Sequence, residues 1–339
     1  MSVIKINELT KIFRIFQRRE GISGAVKDLF HRKYQSLIAV DHIDFVVNQG
    51  DIVGFIGPNG AGKSTTIKML TGILKPTSGE MSVLGYHPFR DRKTYTQHIG
   101  VVFGQRTQLW WDIAVIESLK LLGAVYQVPK SEFAQTLEML IEILGLDDVL
   151  HTPVRKLSLG QRIRSDLAAS LIHNPKVLFL DEPTIGLDAV VKIKVRKFLK
   201  DINRKLKTTI ILTTHDLYEI EELCERIIII DKGNIIYDGE LNKIKTLPGL
   251  PRALTVDFQE EVDFDKLSSL VGEAVKLNRK EANRIELTYI RKDTPTAELM
   301  KSIVESFRIA DLEVKDPTIE DIVMKIYTEG VEGRYDETK

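Results

Sequence analysis

The run GPNGAGKST, from Gly57 to Thr65, constrains the fold of this chain more than any other segment. It follows the apolar segment 52–56 and matches the pattern G-x-x-x-x-G-K-[ST] in full. Glycines let a loop wrap around an anion, and the N–H groups of the loop and of a following helix bind it. The run therefore predicts a buried strand, a phosphate-binding loop and a helix. The residues expected to hold a nucleoside triphosphate are Gly57, Pro58, Asn59, Gly60, Ala61, Gly62, Lys63, Ser64 and Thr65.

The composition limits the classes of protein to consider. The chain has 339 residues, enough for two domains, and its 48 basic residues balance 48 acidic ones. This balance gives no overall drive towards nucleic acid, so no nucleic-acid partner is expected. The single cysteine, Cys224, excludes an intrachain disulfide and suits a reducing compartment. No apolar stretch reaches the length of a membrane span and no signal-peptide pattern is present, so we expect a cytoplasmic chain.

Two near-continuous apolar runs, KVLFLDE and TTIILTTH, are typical of parallel strands buried on both faces. The first ends in two carboxylates. Asp181, at the end of the strand, is placed to hold Mg²⁺ together with the Ser64 hydroxyl. Glu182, one residue further, can act as general base towards the attacking water.

The segment LSLGQRIRSDLAASL opens a second helix that is expected to bind an anion. Ser158 can cap this helix, and its hydroxyl and the free N–H groups form an anion site. One nucleotide does not need two distant helix N-termini. A dimer is the economical solution, with the Ser158 end of one subunit facing the γ-phosphate bound by the other.

These motifs together resemble the ATP-binding subunit of ABC transporters over roughly residues 1–240. GPNGAGKST resembles Walker A, VLFLDE Walker B and LSLGQ the signature LSGGQ, while GLD at 186–188 is similar to the D-loop. The resemblance implies an α/β fold with a P-loop NTPase core, an antiparallel β subdomain and a helical subdomain inserted at about 106–175. It also implies ATP and Mg²⁺ as ligands.

The resemblance further implies roles for individual residues. Gln105 resembles the Q-loop glutamine, which binds near Mg²⁺ and couples the site to the membrane subunit; Gln108 is the alternative. His215 resembles the switch histidine that contacts the γ-phosphate, and Asp188 is expected to cross the dimer interface. Leu159 replaces the first signature glycine, whereas Gly160 and Gln161 are kept. The adenine-stacking aromatic is expected at Phe13, with Phe16 and Tyr34 as alternatives.

Three further segments carry expectations of their own. Residues 1–245 are expected to form the ATP-binding domain and residues 246–339 a small C-terminal α/β domain of open role. The basic insert at about 14–36 has apolar residues at helical spacing, and it is either a solvated surface helix and loop or an amphipathic element against the membrane or the partner. Trp110 and Trp111 lie where the family docks its membrane helices, which favours a partner contact.

The resemblance thus indicates an ATP-hydrolysing motor subunit that works as a homodimer or with a paralogous subunit. It would drive export through a separate integral membrane permease and lie on the cytoplasmic face of the membrane. The alternative is a soluble ABC ATPase that acts on ribosomes or DNA. Ribosome-associated members carry two nucleotide domains and repair clamps carry long coiled coils, and this chain shows neither pattern.

Overall fold

The computed structural model describes residues 1–17, 33–104, 106–244, 250–290 and 293–329. Within them the chain forms two compact units, one spanning Met1–Gly239 and a second that begins at Glu240. Among the described residues, no helix combines the length and the apolar character needed to cross a bilayer.

The core of the first unit is a six-stranded sheet in the order β5-β6-β7-β3-β8-β9. β3 pairs in parallel with β7 and β8, and β6 pairs in parallel with β5 and β7. The carboxyl ends of these parallel strands therefore meet at one edge, as the apolar runs predicted. The strands are β3 (Ile52–Ile56), β5 (Ile99–Phe103), β6 (Val177–Asp181), β7 (Thr209–Thr213), β8 (Arg226–Asp231) and β9 (Asn234–Glu240).

An antiparallel sheet in the order β2-β1-β4 completes the strands of this unit. Its strands are β1 (Ser2–Gln17), β2 (Lys33–Asn48) and β4 (Ser78–Val83). The alternation of residues 3–9 is typical of an edge strand, but that interpretation is wrong, because β1 pairs with β2 on one side and β4 on the other.

β1 and β2 continue as a two-stranded ribbon beyond Ser78, the first residue of β4. Residues 14–17 and 33–36 are paired strands, so the helical interpretation of the insert is wrong for these positions. The cross-strand pair Phe16 and Tyr34, with ring centroids 5.9 Å apart, helps to explain the difference, since such pairs stabilise sheets. The remainder of the insert, residues 18–32, lies outside the described residues.

Helices cover the parallel sheet, and three of them (α3 to α5) form the helical block between β5 and β6. The helices are α1 (Lys63–Leu70), α2 (Arg92–Tyr95), α3 (Val115–Val125), α4 (Lys130–Leu144), α5 (Leu159–Leu171), α6 (Ala189–Leu206) and α7 (Leu217–Leu223). Ser131 is a plausible cap by residue type, but it lies inside α4. The N-cap is Pro129, whose fixed φ holds an extended entry to the helix.

The second unit contains an antiparallel sheet in the order β11-β12-β10-β13. Its apolar core includes Leu254, Val256, Phe258, Leu287 and Tyr289. The elements are α8 (Leu241–Ile244), β10 (Pro251–Phe258), α9 (Phe264–Val271), β11 (Lys276–Glu281), β12 (Arg284–Ile290), α10 (Thr296–Ser306), β13 (Ile309–Lys315) and α11 (Ile319–Glu329).

Candidate active site

The phosphate-binding loop joins β3 to α1 and depends on glycine at two close approaches. A Cβ at Gly62 would lie 2.6 Å from the carbonyl oxygen of Ala39, and φ is +117° there. A Cβ at Gly57 would lie 2.2 Å from the carbonyl oxygen of Ile230. Side chains are excluded at both positions, because each would collide with backbone. The loop therefore packs against its neighbours while Pro58, Asn59 and Gly60 remain exposed.

Lys63 begins α1 and reaches back over the loop. Its Nζ donates hydrogen bonds to the carbonyl oxygens of Gly57 (2.5 Å) and Pro58 (3.1 Å). Burial lowers the pKa of Lys63, and the nearby carboxylates of Glu182 and Asp181 oppose this shift. The ammonium is thus held between the loop and the acidic end of β6, where it can meet a phosphate oxygen.

Asp181, the last residue of β6, lies between two hydroxyl groups. Its Oδ1 accepts a hydrogen bond from Thr213 Oγ1 (2.5 Å) and a longer one from Ser64 Oγ (3.4 Å). Hydroxyl and carboxylate oxygens are hard ligands, and Mg²⁺ typically uses one or two carboxylates besides water and phosphate. The donor set of Ser64 and Asp181 therefore fits Mg²⁺. Sequence reasoning missed Thr213, which is fully buried in β7 opposite Asp181.

Glu182 and His215 face each other at the same edge of the sheet. Nδ1 of His215 lies 3.2 Å from Oε2 of Glu182. Glu182 has a φ of +55°, an uncommon backbone conformation for a residue with a side chain, and its N–H donates to the carbonyl of Thr213 (2.9 Å). Residues held in such conformations are concentrated at functional sites. The two predicted catalytic side chains are therefore within reach of one another.

These groups open into one cavity of about 730 Å³. The structure brings together the predicted Asn59, Ser64, Asp181, Glu182 and His215. Arg106 and Lys68 add positive charge that sequence reasoning did not assign. The described residues that line it are Asn59, Ser64, Lys68, Ile73, Phe103, Gly104, Arg106, Asp181, Glu182, Ile185 and His215.

The two candidates for the Q-loop glutamine have different outcomes. Gln105 lies outside the described residues. Gln108 is not among the described residues that line the cavity; its side chain donates to the carbonyl oxygen of Asp166 (3.0 Å). Asp166 in α5 also accepts hydrogen bonds from Thr107 Oγ1 (2.8 Å) and the N–H of Gln108 (3.0 Å). Gln108 is therefore part of a contact between a loop and α5.

The aromatic candidates for adenine stacking lie on the ribbon formed by β1 and β2. Phe13 is paired across the ribbon with Leu37, and the Lys11 ammonium lies 5.1 Å from the centre of its ring. Phe16 and Tyr34 contact each other. Phe13, Phe16 and Tyr34 are all absent from the described lining of the cavity.

The signature-like turn caps α5 as its sequence predicts. Ser158 Oγ accepts from the N–H of Gln161 (3.3 Å), and the Gln161 side chain accepts from the N–H of Ser158 (2.9 Å). This capping box uses the Ser158 oxygen as acceptor and leaves its O–H free to donate. Gly160 adjoins Leu187, and none of the described residues 158–161 lines the cavity.

Leu159 lies next to the D-loop-like segment of the same chain. A Cβ at Gly186 would be 2.5 Å from Cδ2 of Leu159. Two residues further, Asp188 caps α6 by accepting from the N–H of Val191 (2.9 Å). The predicted trans-acting residues thus form one surface beside the segment 186–188.

Comparisons with known proteins show which family the chain resembles. A family model for ABC transporters matches residues 40–185. The methionine import ATP-binding protein MetN of Geobacillus kaustophilus is 35% identical over 73% of this chain and 74% of its own length. The bacitracin transport ATP-binding protein BcrA of Bacillus licheniformis is 34% identical over 63% of this chain and 69% of its own.

Among solved structures, a dimeric ATP-binding cassette, MJ0796, in a post-hydrolysis state with ADP and Pi superimposes with a TM-score of 0.59. It is 25% identical, and the match covers 70% of this chain and 98% of that one. Fold, site and sequence similarity converge on one assignment. This chain belongs to the ATP-binding proteins of ABC transporters, a family of P-loop ATPases.

Proposed function

We propose that two copies of this chain close around two ATP molecules and drive export through a separate membrane permease. The observation that carries the proposal is the separation of two phosphate-binding features within one copy. Ser64, Asp181 and Glu182 line the cavity, whereas the Ser158–Gln161 turn packs beside segment 186–188 and does not line it. A second copy supplies that turn to the cavity of the first. The dimeric cassette of similar fold supports this arrangement.

In this proposal each of the predicted site residues has a distinct task. Lys63 and the loop N–H groups bind phosphate, while Ser64 and Asp181 would hold Mg²⁺, which supplies charge neutralisation when bound. Glu182 accepts a proton from the water that attacks the terminal phosphorus, and the products are ADP and phosphate. His215 orients this carboxylate and contacts the terminal phosphate, and Gln105 completes the metal side of the site.

An exposed apolar surface supports the proposal that a membrane protein binds this chain. Trp110 and Trp111 are 45% and 49% exposed, and Leu121 and Val125 on α3 are also exposed. Two contacts hold the loop that carries the tryptophans. The Arg162 guanidinium lies 5.1 Å from the centre of the Trp111 ring, and Ser118 Oγ accepts a hydrogen bond from the N–H of Trp110 (3.2 Å). Rigid, exposed tryptophans are favoured interface anchors. We assign this surface to the permease and propose that the subunit lies on the cytoplasmic face of the membrane.

The proposal also includes a direction of transport, which is export. The similarity to the bacitracin transport protein supports export. The methionine import protein is 35% identical and the bacitracin transport protein 34%, so sequence identity does not decide the direction of transport. The direction is therefore tested separately. ATP-driven uptake of substrate into inside-out vesicles supports export, whereas uptake into right-side-out vesicles supports import.

The motor role is tested by purifying tagged Glu182→Gln protein from native membranes with ATP and Mg²⁺. Removing the base should trap the closed dimer with its partner bound. The matched control is the double variant Glu182→Gln, Lys63→Ala, which lacks the phosphate-binding ammonium. A multi-span membrane protein that is retained with the single variant, and not with the double one, supports the proposal. Ribosomal proteins or nucleic acid in its place would favour the soluble alternative.

A further inference from the structure

A buried carboxylate joins the two segments that carry Glu182 and His215. Glu219, in α7, is only 1% exposed, and its Oε2 accepts a hydrogen bond from Thr184 Oγ1 at 2.9 Å. Thr184 is also buried and lies two residues after Glu182. Glu219 lies four residues after His215. This hydrogen bond therefore links the turn that follows β6 to the helix that follows β7.

A second polar contact joins α7 to α6, the helix that follows the same turn. Asp216, the N-cap of α7, pairs with Lys192 of α6 at 2.7 Å, and its Oδ1 accepts from the N–H of Glu219 at 3.3 Å. Asp216 directly follows His215, and Lys192 lies in the first turns of the helix capped by Asp188. The helix after His215 is thus held by two polar contacts, one to the turn after Glu182 and one to α6.

Keeping a carboxyl group at this depth has a cost. Burial raises the pKa of Glu219, and the charge of Asp216 adds to that effect. The hydrogen bond from Thr184, the nearby hydroxyl of Thr214 and the charge of Lys192 act in the opposite direction. An apolar side chain would fill the same space without that desolvation cost, so the carboxylate has a purpose beyond packing.

We infer that Glu219 is a positioning residue for ATP hydrolysis, acting through Thr184 to hold the turn after Glu182 against the helix after His215. The inference rests on the roles proposed above for Glu182 and His215. Such support bears on the pair because Glu182 has an uncommon positive φ and the side chain of His215 is 65% exposed, so the surrounding structure has to hold both groups in place. A displacement of about 1 Å in such a pair can lower a rate by roughly 10²-fold.

The test compares Thr184→Val, which removes the hydroxyl at equal volume, with Thr184→Ser, which retains it. We expect Thr184→Val to lower kcat by at least about tenfold with KM for ATP within about twofold, because the phosphate loop is unchanged. Thr184→Ser should restore kcat. Glu219→Ala should match Thr184→Val, and the double variant should be no worse than either single one.

The matched control is Thr136→Val, which removes another buried hydroxyl, 3.1 Å from Asn174 in the helical block. Thr136→Val should lower Tm about as much as Thr184→Val does, without changing kcat. Wild-type kcat in a folded Thr184→Val variant would overturn the inference, as would an equal loss of kcat in Thr136→Val. Glu182→Gln is assayed in parallel. If it hydrolyses ATP at the wild-type rate, the proposed role of Glu182 fails, which is a different result from failure of Glu219 alone.

Discussion

At the residue scale, the Thr213 hydroxyl controls the orientation of the Asp181 carboxylate. The hydroxyl is buried and donates to Oδ1 at 2.5 Å. Groups that orient a metal ligand typically contribute about 10- to 100-fold in metal affinity. Thr213→Val should therefore raise the Mg²⁺ concentration for half-maximal ATPase activity by about 10- to 100-fold. Thr213→Ser keeps the hydroxyl and serves as the control. Equal Mg²⁺ dependence of all three proteins would contradict the prediction.

The contrast between Asp181 and Thr213 shows what a single sequence reveals about this site. Asp181 was predictable because an acidic residue at the end of an apolar strand, in a chain with a phosphate loop, has few other uses. Thr213 lies in a run of ordinary strand residues, and its contact depends on the register that pairs it with Asp181. Register between distant strands is set by the packed fold, so this contact became visible only in three dimensions.

At the element scale, Asp166 joins the loop before the two tryptophans to α5. Burial raises the pKa of Asp166 to about 6, against hydrogen bonds from Thr107 and from the backbone. The folded chain therefore binds this proton more tightly than the unfolded chain. Protonation stabilises the fold, and this contribution is lost as pH rises through about 6.

Asp166→Asn removes this titration while keeping an amide oxygen as acceptor. Relative to that variant, the wild type should gain roughly 1.4 kcal/mol of unfolding free energy between about pH 7 and pH 5. Urea unfolding followed by tryptophan fluorescence measures this free energy. The signal reports on the region around Asp166, since Trp110 and Trp111 are the only two tryptophans of the chain. A difference between the two proteins that does not change with pH would refute the assignment.

The contact between the signature-like turn and the segment 186–188 gives a second prediction at this scale. Gly186 has a φ of +73°, and a Cβ there would lie 2.5 Å from Leu159 Cδ2. Gly186→Ala should lower ATPase activity through backbone strain of about 1–2 kcal/mol and through this collision. Adding Leu159→Ala should recover the ATPase activity that is lost through the collision, but not the activity that is lost through backbone strain. A double-mutant cycle on kcat measures that coupling, and purely additive effects would mean that the two segments act independently.

Strands were predictable from the sequence where burial shaped their composition. The apolar runs of β6 and β7 were recognised for that reason. β11 has the sequence KLNRKE and is mostly exposed at the edge of its sheet, so it carries no apolar alternation. Residues 14–17 and 34–36 are likewise mainly exposed, and cross-strand pairing determines their conformation.

At the scale of the whole molecule, the proposed site exists only between two copies, and this leads to a complementation test. Lys63→Ala disables the phosphate loop of a chain, and Ser158→Arg disables its signature-like turn. A dimer of either variant with itself contains no intact site. In a mixed dimer, the intact loop of one chain meets the intact turn of the other, so one of the two sites is restored.

Random mixing makes half of the dimers mixed, so activity should recover to about one quarter of the wild-type value if the sites turn over independently. The measurement is ATPase activity across mixing ratios of the two purified variants, and it should be greatest near equal amounts. Doubly substituted Lys63→Ala, Ser158→Arg protein, mixed with either single variant, is the control and should recover nothing, because neither type of mixed dimer then contains an intact site. If loop and turn instead served the same ATP within one chain, mixing the single variants would restore no activity at any ratio.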